Sequence, residues 1–276
     1  MMKSKEFISE QIYKKKSLLC VGLDPDRHKI PKSYLDQENS FFDFCKDIIE
    51  CTHDLAIAYK INIAFFEAQG PKGWLQLEKI FKIIPSTCFI IADAKRADIG
   101  NTSKQYASYY FDTLAVDAIT LHPYMGVDSL EPFLEYKEKW SIILALTSNP
   151  GSKDFELQSL HTGKKLYENV IETFVESKYS SNIMFVCGAT HPSEFIKIRS
   201  LCPDHFLLVP GIGEQGGDLK STVEFGQNKF GGLLINLSRK VIYPESFTDY
   251  KTTVRQLANE YRSEMFKYLK TYSAGM

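Results

Sequence analysis

Eight short apolar runs recur along the chain, and between them apolar residues fall at helical spacing. The runs are Leu18–Leu23, Leu55–Ile61, Cys88–Asp93, Val116–Leu121, Ile142–Thr147, Ile183–Cys187, Phe206–Val209 and Leu233–Leu237. Phe41, Phe44, Cys45, Ile48 and Ile49 share one helical face, as do Leu166, Tyr167, Val170, Ile171 and Phe174. Strands that alternate with helices pair in parallel through right-handed crossovers. Eight such units predict a closed (β/α)8 barrel, the TIM-barrel fold of the α/β class, spanning residues 1–276 as one domain. Lys3–Lys16 and Lys251–Tyr272 are expected as extra helices flanking it.

Polar residues gather where the apolar runs end. Gly22-Leu23-Asp24-Pro25-Asp26 follows the first, and Lys60 and Asn62 close the second on a shared face. The third gives way to Asp93-Ala94-Lys95-Arg96-Ala97-Asp98. His122-Pro123 follows the fourth, Thr147-Ser148-Asn149-Pro150 closes the fifth, and His191-Pro192 lies just past the sixth. Pro210 to Gly217 follows the seventh and Ser238-Arg239 the eighth. In a barrel these segments all meet at the carboxyl ends of the strands, the face that carries the chemistry.

Composition narrows the classes. A hydrophobic content of 44% with 24% charged residues over 276 positions suits a soluble chain with a large core. The net charge of −1 gives no electrostatic case for nucleic acid or an acidic membrane. No apolar stretch reaches the length of a membrane span, and the polar start is not a signal peptide. Cys20, Cys45, Cys51, Cys88, Cys187 and Cys202 form no C-x-x-C pair and are expected to be reduced thiols of a cytoplasmic protein.

A strand ending in acid, base and acid pairs its charges, because each lone charge would lose its hydration on burial. Asp93 and Lys95 fall on one side of the strand, and Lys60 and Asp98 complete an alternating set if the second and third strands are neighbours. That set is either a salt-bridge plug or a reactive centre. Pro210 to Gly217 is glycine-rich, which lets backbone N–H groups approach an anion, and Arg239 at the adjacent strand end offers a forked pair of donors to a phosphate. Asp24 is either a sugar-hydroxyl acceptor or a helix N-cap. Thr147, Ser148 and Asn149 either read a polar ring or make a turn before Pro150. His122 and His191 read as turn residues, and no His, Asp and Glu set has metal-ligand spacing.

The run Asp93-Ala94-Lys95-Arg96-Ala97-Asp98-Ile99-Gly100-Asn101-Thr102 contains D-x-K-x-x-D and resembles the orotidine 5′-phosphate decarboxylase family. Together with Thr147-Ser148-Asn149-Pro150-Gly151 and the loop from Pro210 to Gly217, it is similar to the longer bacterial branch of that family. The resemblance runs from Gly22-Leu23-Asp24-Pro25 to Ser238-Arg239. It implies decarboxylation of orotidine 5′-phosphate to uridine 5′-phosphate (UMP) without cofactor or metal, the last step of de novo pyrimidine synthesis. Lys95 is then the proton donor to C6, Asp93 lies beside the departing carboxylate, and Lys60 orders the charges and contacts the ribose. Asp24 binds ribose hydroxyls, and Ser148 reads the pyrimidine with Thr147 and Asn149 beside it. Gln215 and Arg239 hold the phosphate, with backbone amides near Gly213 and Ser238. The resemblance further implies a homodimer in which Asp98 and Thr102 reach into the partner's site.

Two positions depart from other branches: Gly213 stands where the shorter bacterial branch has arginine, and Ser238 where others have glycine. No orotate phosphoribosyltransferase domain is evident, so a stand-alone decarboxylase is expected. The competing readings are a magnesium-dependent sugar-phosphate lyase such as 3-keto-gulonate 6-phosphate decarboxylase or hexulose-phosphate synthase, a non-catalytic nucleotide-binding barrel, and a Schiff-base aldolase. Carboxylates flanking Lys95 disfavour the last, since they keep the amine protonated.

Overall fold

The computed structural model describes residues 3–213 and 216–270. Within them β1 (Leu19–Leu23), β2 (Ala58–Asn62), β3 (Phe89–Arg96) and β4 (Ala118–Leu121) pair in chain order. They continue through β5 (Trp140–Leu146), β6 (Ile183–Cys187), β7 (Leu207–Val209) and β8 (Leu233–Leu237). Every pair is parallel, and β8 returns to β1 with Cys20 opposite Asn236, which closes the barrel. β1, β6 and β8 are buried along their whole length, because one face fills the barrel and the other meets the helices.

The outer layer starts with α1 (Lys5–Lys15), α2 (Lys32–Leu35), α3 (Ser40–Thr52), α4 (Ile63–Glu67), α5 (Pro71–Ile83) and α6 (Gly100–Ser108). It continues with α7 (Glu131–Leu134), α8 (Leu166–Val175), α9 (Glu194–Leu201), α10 (Leu219–Gly226), α11 (Arg239–Ile242) and α12 (Tyr250–Tyr268). In α3 the face expected from spacing is the one that packs: Phe41, Phe44, Cys45, Ile48 and Ile49 are all buried. Phe44 stacks between Tyr243 and Tyr250 at centroid distances of 5.5 and 5.6 Å, tying α3 to the C-terminal segment. The first turn of α3 is satisfied from a neighbour, since Gln76 Oε1 accepts the Phe41 and Phe42 N–H groups. The face expected in α8 is buried at Tyr167, Ile171 and Phe174, whereas Leu166 and Val170 are half-exposed beside a groove.

Helix α1 closes the barrel end at which the strands begin. Lys3 Nζ donates to the Cys88 carbonyl at 2.6 Å and to Asp117 Oδ2 at 2.8 Å. Lys15 Nζ donates to the His53 and Ala56 carbonyls at 2.9 and 2.8 Å. These lysines cap chain ends that enter the strands and leave the opposite end open. The expected C-terminal helix runs from Tyr250 to Tyr268, and the last two positions of that expectation, 271 and 272, lie outside the described residues. The third strand runs three residues past its expected end at Asp93, to Arg96, because charged residues continue the ladder where the barrel interior turns polar. No described helix is long and apolar enough to cross a membrane. All six cysteines are free thiols, and Cys51 alone is not fully buried.

Candidate active site

The inward-facing ring at the open end of the barrel has two unlike halves. Asn236 on β8, Lys60 on β2, Asp93 on β3 and Thr120 on β4 make one half polar, while Leu144, Val186 and Leu208 on β5 to β7 make the other apolar. Together they line a cavity of about 270 Å³. An apolar wall keeps the local dielectric low, so charges on the facing wall act more strongly than they would in water.

Asp93 is the hub of the polar half. Its two carboxylate oxygens take Lys60 Nζ and Lys95 Nζ, each at 2.6 Å. Thr120 Oγ1 donates to Asp93 Oδ1 at 3.0 Å and accepts the Lys95 N–H at 3.0 Å. Lys60 also lies 3.9 Å from Asp24 Oδ1. Burial opposes both central charges, yet the paired groups win. Lys60 is held above the usual lysine range by Asp93 and Asp24, and Asp93 well below the usual carboxylate range by Lys60 and Lys95. Lys60 and Asp93 are therefore a buried charged pair, with the Lys95 amine on the second carboxylate oxygen. Lys95 differs from Lys60 in exposure, with 51% of its side chain open to the cavity against 7%.

The backbone delivers Lys95 in a way simple alternation misses. Lys95 has φ +47°, a left-handed conformation uncommon outside glycine, and the β3–β4 register shifts between Ala92 and Arg96. This bulge turns the ammonium back onto Asp93, and the Thr120 hydroxyl takes up the N–H that the ladder gives up. Strain of this kind, worth about 1–3 kcal/mol, persists only where neighbours fix it.

A second cavity of about 120 Å³ adjoins the first, with Pro210 and Asn236 in the wall of both. It is lined by Asp24, Gly211, Ile212, Ser238, Arg239 and Lys240. Ser238 Oγ donates to Asp24 Oδ2 at 2.5 Å, while the buried Asp24 Oδ1 accepts no hydrogen bond. The N-cap alternative for Asp24 does not hold, since α2 starts only at Lys32. A carboxylate with one oxygen free of hydrogen bonds, in a cavity wall shared with Arg239 and Lys240, suits a ligand with hydroxyls near an anion.

Thr147, Ser148 and Asn149 make the turn into Pro150 and also line the larger cavity, so the turn leaves them within reach of a ligand there. Glu156 holds this loop by accepting the Thr147 N–H at 2.6 Å and its hydroxyl at 2.9 Å. Thr190 Oγ1 donates to the Ser148 carbonyl at 3.2 Å. Gly188 makes the approach possible, because a Cβ there would meet Ser148 Cα and N at 2.7 Å. Gly188→Ala is expected to cost about 1–3 kcal/mol of stability through overpacking and to displace Ser148. Urea denaturation with substrate titration checks it; an unchanged midpoint and KM would contradict the close fit.

Other expected residues stand apart. Asp98 is outside the cluster within one chain: its Oδ1 accepts the Ile99 N–H, and its backbone is tied to Ser103 Oγ. The four-charge set expected from the second and third strands is thus a three-charge set plus Asp24. The separation arises because the chain leaves the ladder at Arg96 and turns away. Thr102 is exposed on the first turn of α6. Gly213, with φ +87°, packs beside the Lys240 stem and lines neither cavity. Gln215 lies outside the described residues. Asn62 Oδ1 accepts the Ala64 N–H and so caps α4. Among the described residues no three His, Cys, Asp or Glu side chains are grouped to hold a metal ion.

Thr120, Glu156, Asn236 and Lys240 carry site geometry that sequence reasoning passed over. Thr120 and Asn236 left a faint signal as lone polar residues inside apolar runs.

The geometry can be set beside known proteins. The model of the orotidine 5′-phosphate decarboxylase / HUMPS family matches residues 17–246. An orotidine 5′-phosphate decarboxylase of Flavobacterium johnsoniae is 50% identical over 262 residues, which cover 94% of this chain and 95% of the relative. One from Phocaeicola vulgatus is 47% identical over 269 residues, 96% of this chain and 99% of the relative. The solved Leishmania donovani OMP decarboxylase superposes with a TM-score of 0.82 at 36% identity, covering 96% of this chain and all of that one.

Proposed function

The chain belongs to the orotidine 5′-phosphate decarboxylase / HUMPS family, and from that premise we propose that Lys95, held by Asp93 and Lys60, carries its chemistry. The reaction is the decarboxylation of orotidine 5′-phosphate to UMP in pyrimidine biosynthesis. The observation that supports this division of labour is the one buried carboxylate shared by two lysine amines, of which Lys95 is widely open to the cavity and Lys60 is almost wholly buried in its wall.

In this reading the phosphate enters the smaller cavity beside Arg239 and Lys240, and Asp24 Oδ1 accepts a ribose hydroxyl. The pyrimidine lies against Ser148 and the apolar half-wall, with C6 toward Lys95. As carbon dioxide leaves, the electron pair of the broken bond stays on C6. The Lys95 ammonium stabilises that charge and transfers its proton to the carbon. Asp93 aims Lys95, and its charge faces the substrate carboxylate until departure. Lys60 anchors Asp93 and never meets C6. Binding energy from the phosphate, remote from the reacting carbon, holds the ring in register with these charges.

The same reading gives Asp98 and Thr102 to a neighbouring subunit's site. Their positions support it: both lie on the segment leaving β3, outside their own cluster, next to Ile99, which is 63% exposed. A soluble location in the cytoplasm fits the free thiols.

The test is the ultraviolet absorbance change on adding orotidine 5′-phosphate in excess chelator. Turnover unaffected by chelator is expected. Turnover that vanishes with chelator and returns with magnesium would favour the metal-dependent lyases of the same superfamily.

A further inference from the structure

Asn236 is the least explained polar group of the site. It is 9% exposed, sits on a strand otherwise made of Leu and Ile, and forms wall of both cavities. Its partner across the β1–β8 closure is Cys20, whose Sγ lies 3.8 Å from Asn236 Oδ1. Burial pushes the Cys20 thiol up to about 12, so it is a thiol and a donor. The amide oxygen therefore faces Cys20, and the amide nitrogen faces the cavities. No described residue accepts a hydrogen bond from that nitrogen. Gly22 keeps the space open, since a Cβ there would lie 3.2 Å from Asn236 Oδ1 and 2.7 Å from Ser238 Cβ.

The amide N–H2 opens onto the cavities rather than into the core, so its acceptor comes from solvent until a ligand oxygen takes that place. The seam between the cavities is where a molecule with an anion at one end and a polar ring at the other passes its sugar. We infer that Asn236 is a substrate-binding residue, its Nδ2 donating to an oxygen of the ribose-phosphate stretch, and that Cys20 is a positioning residue that fixes the amide. The inference deepens the function proposed above and rests on it.

The chemistry favours an amide at this position. A cation here would compete with Lys60 and Lys95 for Asp93, and a carboxylate would oppose both Asp24 and the phosphate. A neutral donor grips the sugar without shifting the charge balance that holds Lys95.

The experiment compares Asn236→Leu and Asn236→Asp with the parent protein, using calorimetric titration of UMP and steady-state turnover of orotidine 5′-phosphate. For Asn236→Leu, the UMP Kd and the KM are each expected to rise about tenfold with kcat within about twofold, since the bond is present in ground and transition states alike. Asn236→Asp is isosteric and keeps the fold, so it carries the test if the leucine variant fails to fold. It is expected to weaken UMP about 100-fold. Cys20→Ser, which keeps an O–H donor, is expected to bind UMP like the parent, and Cys20→Ala several-fold more weakly. A merely structural pair would lower melting temperatures without this serine rescue of affinity. UMP affinity within about twofold of the parent in both Asn236 variants would overturn the inference while leaving the reaction in place. A parent protein that neither turns over orotidine 5′-phosphate nor binds UMP would overturn both.

Discussion

Replacing Lys95 by alanine is expected to lower kcat/KM by about 10⁴-fold or more while changing UMP affinity by less than about tenfold. The size follows from two losses. General acid catalysis by a placed group contributes about 10²–10⁴, and a preorganised charge at the developing anion about 10²–10³. Affinity for the product is spared if, as proposed, the phosphate and ribose are held in the neighbouring cavity that Arg239 and Asp24 line. Initial rates by absorbance and calorimetric titration of UMP check both halves. A rate within about tenfold of the parent would remove Lys95 from the chemistry. The same variant reports on the proposed shared site. In an equal mixture with Asp98→Ala subunits, half of the randomly formed dimers are hybrids, and each hybrid has one site with both residues. About a quarter of parent activity should return after subunit exchange. No recovery would confine Asp98 to its own chain.

The second large effect is on the fold itself. Asp93→Asn is expected to destabilise the protein by about 3–5 kcal/mol, because it leaves Lys60 buried with Asp24 at 3.9 Å as its remaining carboxylate. Side-chain exposures of 7% for Lys60 and 9% for Asp93 leave little solvent to screen the loss. The pH dependence carries the signature. Asp93 is depressed in the folded state, so its contribution is present above the unfolded value of about 3.9 and is lost as pH falls through the folded one. Lys60 is raised, so its contribution is present below about 10.4 and is lost as pH rises through its folded value. The stability gap between parent and variant should therefore be level from about pH 5 to 10 and shrink beyond both ends. Urea denaturation across that range measures it. A gap that changed most near neutrality would mean the cluster is not ionised as described.

How much of this was legible in the sequence depends on which force fixes each feature. The barrel was legible because apolar runs and helical faces are local patterns, and each strand lies within a few residues of its run. The charge hub was legible at Asp93, Lys95 and Lys60 because charges at strand ends need partners. The left-handed backbone of Lys95 was not, since it answers to the register shift against β4 and to Thr120, a residue 25 positions away. Asp98 stands apart from the cluster of its own chain for a related reason: alternation continues only as long as the ladder does. Glu156 was invisible because its role is defined by the loop it folds onto rather than by its neighbours in sequence. Leu166 and Val170 show the converse case, where correct helical spacing did not guarantee burial.

The closed end of the barrel has a practical consequence. Lys3 and Lys15 pin α1 across the strand starts, and the Tyr13 hydroxyl donates to the Lys270 carbonyl at 3.4 Å, so early and late segments meet on the side away from the mouth. An affinity tag or surface linker attached through either of these segments should hold the enzyme with its open face outward. Immobilised through an exposed loop-side residue such as Tyr124, which is 84% exposed near the mouth, it would instead be presented face down.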